Sequence, residues 1–211
     1  MIAGVITVVL AYFLGSISSS ILIGHMFGVD DIRKHGSGNA GSTNVLRTIG
    51  KKAAAMTFIC DFLKGVIPAV AVKLFVKDST LTFMLVSSFA VVIGHIFPIY
   101  FGFKGGKGVA TSFGAVIAIS VATGIFWIPF ALFGVWLVVV LLTRYVSLGS
   151  VIVFAAYPIL VAVLFKGLAM ADYIQYVVFA VAIGLLGIIM HRKNIGRLIS
   201  GTESKIGQKA K

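Results

Sequence analysis

Long apolar stretches recur along this chain, and the polar interruptions between them alternate between strongly basic and nearly balanced. A helix needs about 20 largely apolar residues to cross a bilayer. Stretches of that kind run from about Ala3 to Phe27, Ala53 to Val76, Leu81 to Phe101, Ile125 to Leu142, Ser150 to Phe165 and Tyr173 to Met190. The stretch from Val109 to Ala122 is shorter, and Thr123-Gly124 marks a turn after it. That segment either spans as a short helix or re-enters. Charge arbitrates. Arg33, Lys34, Arg47, Lys51 and Lys52 fill one interruption, Lys104 and Lys107 a second, and Arg144 a third. Arg192, Lys193, Arg197, Lys205, Lys209 and Lys211 fill the C-terminal tail. Cationic loops stay in the cytoplasm, and all of these share one side only if the short segment spans. The expected fold is an all-α polytopic membrane protein of about seven transmembrane helices, N-terminus outside and C-terminus cytoplasmic. The outer loops then hold Lys73, Lys77 and Lys166, partly balanced by Asp78 and Asp172.

Composition agrees. Soluble domains carry roughly 25% charged residues; this chain is 11% charged and 59% hydrophobic. Residues 1–211 read as a single membrane-embedded domain, with no soluble appendage long enough to fold alone. The net charge of +12 invites a nucleic-acid reading. That reading fails because the charge adjoins apolar spans, with no aromatic-studded basic sheet or reading helix. Membrane lipid headgroups and phosphorylated substrates are the expected partners. The single Cys60 excludes an internal disulfide and any Cys-based metal cluster. No metal-ligand cluster or nucleotide fold is visible, so neither a metal nor a cofactor is expected. Met1 leads into the first apolar stretch without a basic segment, and that stretch reads as a retained span rather than a signal peptide.

Three polar strings carry the chemistry. The first is His35-Gly-Ser-Gly-Asn-Ala-Gly-Ser-Thr-Asn-Val-Leu-Arg47. Its glycines free the backbone to take positive φ, so that amides near Gly38 can converge on an anion. Ser37, Asn39, Ser42, Thr43 and Asn44 add side-chain donors, and Arg47 supplies a bidentate phosphate clamp. The second string runs from Gly94-His95 to Thr111, with Lys104-Gly-Gly-Lys-Gly108 just before a helix. A helix N-terminus favours an anion, and Lys104 and Lys107 interleave with Gly105, Gly106 and Gly108. It is not a Walker A loop, because Gly108 follows the Gly-Lys pair where that motif needs Ser or Thr. His95 reads as a polar residue packed at a helix end. The third string is His191-Arg-Lys-Asn-Ile-Gly-Arg-Leu-Ile-Ser-Gly-Thr-Glu203. If the last helix continues, His191 and Asn194 share a face.

Together, and in this order, these strings resemble the bacterial acyl-phosphate-dependent glycerol-3-phosphate acyltransferase family. The residues that carry the resemblance are Ser37-Gly-Asn-Ala-Gly-Ser-Thr-Asn44 with Arg47, then Gly94-His95 through Lys104-Gly-Gly-Lys-Gly-Val-Ala-Thr111, then His191-Arg-x-Asn-Ile-x-Arg-x-x-x-Gly-x-Glu203. Arg144-Tyr-Val-Ser147 resembles the family pattern in the third basic loop. Length and span count also match. The resemblance implies acyl transfer from a fatty acyl phosphate to the 1-hydroxyl of sn-glycerol 3-phosphate. The products would be lysophosphatidic acid and phosphate, at the cytoplasmic face of the bacterial inner membrane. It also implies hand-over from a soluble enzyme that makes acyl phosphate. Because the donor is already activated, catalysis can rest on positioning and charge neutralisation. Arg47 and Lys107 are assigned to phosphate, and Ser37, Asn194 and His191 to orienting the reacting ends. Lys104, Ser147 and the amides near Gly38 and Gly106 complete the anion pockets. Glu203 either orders basic side chains or binds glycerol hydroxyls. The proton acceptor is either His191 or a substrate phosphate.

Two further features need weighing. His25 and Asp30 match the His-x4-Asp pattern of a different acyltransferase family, a spacing that chance supplies easily. Asp61 and Lys64 stand three apart within the second span, where an ion pair can neutralise itself and support the bundle. A transporter of phosphate or an anionic metabolite is the alternative function. It fits poorly, because the polar strings cluster at one face and the chain lacks an internal repeat.

Overall fold

The structure, a computed structural model, describes residues 1–78, 80–125 and 127–208. Lys209 and Lys211 of the basic tail therefore lie outside the described residues. Every regular element among the described residues is helical, as an apolar solvent requires of a chain that must satisfy its own backbone. The chain forms two compact units: Met1–Ile119 with the described tail end from Gly207, and Ser120–Ile206.

The first unit holds α1 (Ile2–Gly15), α2 (Ser19–Met26), α3 (Ser42–Thr48), α4 (Lys51–Phe75), α5 (Thr80–Ile96) and the start of α6 (Val109–Thr123). The second holds the end of α6, then α7 (Trp127–Thr143), α8 (Val146–Leu164), α9 (Met170–Met190) and α10 (Arg192–Ile199). Among the described residues, five helical stretches are long and apolar enough to cross a membrane: Ile2–Met26, Lys51–Phe75, Thr80–Phe101, Val146–Leu164 and Met170–Met190. α6 and α7 are apolar but shorter. These seven stretches match the seven read from the sequence, with ends shifted by up to four residues. Leu74, Phe130, Leu142 and Ile159 stand exposed on the outer helix surfaces, an arrangement suited to lipid rather than water.

The first stretch is not one continuous helix. It breaks between Gly15 and Ser19, and the break is held by distant partners. Ser16 Oγ accepts from the Ile99 amide at 3.3 Å, and Lys64 Nζ donates to the Ile17 carbonyl at 2.9 Å. Close helix packing explains the small residues on either side. A methyl added at Gly15 would stand 2.1 Å from the Val91 carbonyl oxygen, and one at Gly94 would stand 2.2 Å from that of Tyr12. α1 and α5 thus meet backbone to backbone, as small residues allow in membranes. α4 and α6 repeat the device: a methyl at Gly65 or Gly114 would stand 2.1 Å from the carbonyl oxygen of Thr111 or Phe62 respectively. In the second unit, Gly187 seats the Phe154 ring of α8 against α9.

Candidate active site

In the first unit the first polar string folds around Asn44. This side chain is 1% exposed and fully used: Oδ1 accepts from the Ser37 amide at 2.8 Å. Its Nδ2 donates to the carbonyls of Ile32 and His35 at 3.0 and 2.9 Å. Asn44 therefore shapes the loop from within. Positive φ at Gly36 (+57°) and Gly38 (+71°) turns the chain around it. Ser37 and Gly38 are left exposed, with Asn39, Ser42, Thr43 and Arg47 half-buried. Arg47 sits in the last turn of α3.

The Gly-Lys string follows α5. The Gly105 amide donates to the Ile96 carbonyl and the Gly106 amide to that of His95, both at 3.1 Å. Gly38 likewise donates to the His35 carbonyl at 3.1 Å. These three amides are thus committed to backbone partners, which corrects the expectation that they would converge on an anion. Their glycines serve close approach instead: a methyl at Gly105 would stand 2.0 Å from the His95 carbonyl oxygen. Lys104 stays exposed and Lys107 half-buried. Gly108 takes φ +79° and leads directly into α6.

One organising residue was missed from sequence. Arg33 forms a bidentate pair with Asp31, Nε to Oδ1 at 3.0 Å and Nη2 to Oδ2 at 2.9 Å. Its Nη1 then donates to the carbonyls of Phe101 at 2.8 Å and Lys104 at 3.2 Å. This ties the first string's loop to the second. The hydrogen bond from Arg33 holds the Asp31 carboxyl below its ordinary range. The D-x-R spacing was a local signal, but its long-range partners are backbone carbonyls, which carry no side-chain signature. The His25–Asp30 pattern is not a dyad of side chains, because the His25 ring lies against the Asp30 backbone carbonyl.

In the second unit the third string closes on Glu203. This carboxylate is 7% exposed. Oε1 accepts from Ser147 Oγ and from Asn194 Nδ2, each at 2.7 Å, and Oε2 accepts from Arg197 Nε at 2.6 Å. Burial alone would raise its pKa, but the hydrogen bonds from Ser147, Arg197 and Asn194 outweigh burial and hold it below the ordinary value. Ser147 and Asn194, expected from sequence as site residues, are brought together here. Glu203 orders an arginine, the first of its two expected roles. The last helix does not run on smoothly: α9 ends at Met190 and α10 starts at Arg192. His191 at the join is 2% exposed, and its Nδ1 lies 2.7 Å from the Gly187 carbonyl. A carbonyl only accepts, so Nδ1 carries hydrogen, and in the neutral ring Nε2 is the nitrogen that bears the lone pair. The tail then folds back, the Ile206 amide donating to the Arg144 carbonyl at 2.8 Å.

Among the described residues no group of His, Cys, Asp and Glu is arranged to hold a metal. The first unit carries Ser37, Arg47, Lys104 and Lys107 on its two polar strings, a set whose charge is cationic and suits anion binding and charge stabilisation. The second gathers Ser147, Asn194 and Arg197 on Glu203, a charge-balanced cluster, with His191 at the adjoining helix break.

The family model described as glycerol-3-phosphate acyltransferase matches residues 5–201. A glycerol-3-phosphate acyltransferase of Aquifex aeolicus (strain VF5) is 47% identical over 201 residues, covering 94% of this chain and 96% of that protein. One from Clostridioides difficile (strain 630) is 44% identical over 211 residues, covering 97% and 96%. Two crystal forms of PlsY, an integral membrane glycerol 3-phosphate acyltransferase, are each 42% identical to this chain. The glycerol 3-phosphate form has a TM-score of 0.83 and covers 97% of this chain and 96% of that one. The lysophosphatidic acid form has a TM-score of 0.80, covering 97% and 95%.

Proposed function

From the premise that this chain belongs to the glycerol-3-phosphate acyltransferase family, we propose that its acyl donor is a fatty acyl phosphate and its acceptor glycerol 3-phosphate. The glycerol 1-hydroxyl oxygen attacks the acyl carbonyl carbon, and the carbon–oxygen bond to phosphate breaks. Lysophosphatidic acid and inorganic phosphate leave. The hydroxyl proton passes to a phosphate oxygen or to His191 Nε2. Both reactants carry phosphate, so two anion subsites are needed. Arg47 and Lys107, with Lys104 nearby in sequence, supply charge in the first unit. Ser37 orients a reacting end by a hydrogen bond. Asn39, Ser42 and Thr43 add donors around it, while Asn44, Gly38, Gly105, Gly106 and Gly108 give the loops their shape.

The observation that carries the reading is the Glu203 cluster in a matched family member. Three motif positions, Ser147, Asn194 and Arg197, meet on the Glu203 carboxylate, with Asn194 and Arg197 on the short helix that His191 leads into. The cluster holds Asn194 and the Gly187 carbonyl holds the His191 ring, so both can orient a substrate, a positioning role that suits an activated donor. Activity belongs at the cytoplasmic face of the inner membrane, where the basic loops are expected. A soluble enzyme that makes acyl phosphate would then supply the donor from the same side.

The test is purified enzyme with glycerol 3-phosphate and palmitoyl phosphate, scored for lysophosphatidate and released phosphate. Palmitoyl-CoA runs in parallel. Turnover with the acyl phosphate alone is expected; turnover only with the thioester overturns the donor assignment.

A further inference from the structure

Three ionisable side chains lie buried within the first unit, inside spanning helices. Asp61 and Lys64 on α4 are 2% and 4% exposed, and His95 in the last turn of α5 is 7% exposed. Lys64 Nζ stands 2.8 Å from Asp61 Oδ1, and His95 Nδ1 stands 3.5 Å from the same oxygen. Removing two charges from water costs several kcal/mol per ion, and well-packed apolar residues often stabilise a core as well or better. Support of the bundle alone therefore does not account for the trio, and intramembrane charges as a class mark functional regions.

The far edge of the histidine ring gives the reason. A methyl placed on Gly106 would stand 2.1 Å from His95 Nε2 and 2.7 Å from the Ala40 carbonyl oxygen. Gly106 thus packs tightly against both the ring and the first polar loop. The backbone adds to this hold, since the Gly106 amide donates to the His95 carbonyl at 3.1 Å. Lys64 extends the network, donating to Ile17 in the α1–α2 break, while Ser16 in that break accepts from Ile99 at the entry to the Gly-Lys string.

We propose that His95 is a positioning residue for the Gly-Lys loop, oriented by the buried Asp61–Lys64 pair so that its ring sets where Gly106, and with it Lys104 and Lys107, stands beside the first loop. This rests on the reading of that loop as a phosphate subsite. His95 touches no substrate; it acts through the loop backbone.

The experiment compares His95→Asn with the parent enzyme and with Lys107→Met. Asn keeps a donor near the Nδ1 position for Asp61 and removes the ring edge from Gly106. In His95→Asn, kcat/KM falls by about 10- to 100-fold, mainly through KM for one phosphorylated substrate, with the detergent melting temperature near that of the parent. Asp61→Asn, nearly isosteric, shows the same shift in KM. A lower melting temperature or yield with both KM values unchanged would overturn the proposal and leave a structural role. Failure of both variants to fold overturns it equally. If Lys107→Met leaves both KM values unchanged, the subsite reading itself fails. If Lys107→Met raises KM and His95→Asn does not, only the positioning role is lost.

Discussion

A guanidinium presents its donors in a fixed planar fork, and Arg33 uses that shape on a carboxylate and two carbonyls at once. A lysine ammonium is a point donor and cannot reproduce the arrangement. Arg33→Lys should lower kcat/KM by about tenfold or more through misplacement of the Gly-Lys loop, read by steady-state kinetics in glycerol 3-phosphate. Glu203 makes a different prediction. Its folded-state pKa lies below the ordinary carboxylate value. Its contribution is therefore fully present above that ordinary value and fades as pH falls through the lowered one. Acidification should loosen the tail, seen as lower protection factors against amide exchange, corrected for the intrinsic pH dependence, at Thr202 and Glu203, whose amides donate to the Arg197 carbonyl. Glu203→Gln, which loses the charge but keeps an acceptor, should weaken the cluster by about 1–3 kcal/mol at neutral pH and flatten the acid dependence. At this scale, much of the site was legible. Asn194 and Glu203 were picked out by polarity in an apolar chain, and Ser147 by the family resemblance alone. Arg33 was not, because in a basic loop one arginine looks like its neighbours.

Helices that meet backbone to backbone tolerate no added methyl, and the small residues of α1, α4, α5 and α6 should divide sharply from those in open space. Gly94→Ala and Gly65→Ala drive a methyl to within 2.2 and 2.1 Å of a carbonyl oxygen. Each should destabilise the folded protein by about 1–3 kcal/mol, read as a lower melting temperature in detergent. Gly134→Ala, with nothing within 4 Å of the new methyl, should leave the melting temperature unchanged or slightly raised. The spans themselves were legible because length and hydropathy are local properties. The interruption at residues 16–18 was not. The groups that stabilise the break lie 83 and 47 positions away in sequence. The same limit applied to the glycine-rich strings. Composition indicated a backbone free to bend, but not that the Gly38, Gly105 and Gly106 amides would be satisfied by carbonyls.

For the molecule in its membrane, sidedness turns on α6 and α7. With 15 and 17 residues, these helices are about 22 and 26 Å long at 1.5 Å per residue. The hydrocarbon core is about 30 Å thick. If both cross, helped by their flanking turns, the basic loops share one side. The reading from charge took α7 as a span and so required α6 to cross; if both re-enter without crossing, the basic loops still share one side, and charge does not arbitrate between five spans and seven. Only the turn between the helices differs. Cysteine placed at exposed positions in a Cys60→Ser background resolves this in sealed right-side-out vesicles. Lys34→Cys, Lys104→Cys and Lys193→Cys should react with an impermeant maleimide only after the vesicles are opened, whereas Lys77→Cys and Lys166→Cys should react while they are sealed. Thr123→Cys decides the count. Reaction in sealed vesicles means that α6 and α7 both cross and the molecule has seven spans. Reaction only after opening means that the pair re-enters, leaving five. Splitting of Lys34, Lys104 and Lys193 between the two compartments would mean that exactly one of the pair crosses. It would separate the residues assigned here to one reaction and end the acyl-transfer mechanism built on them.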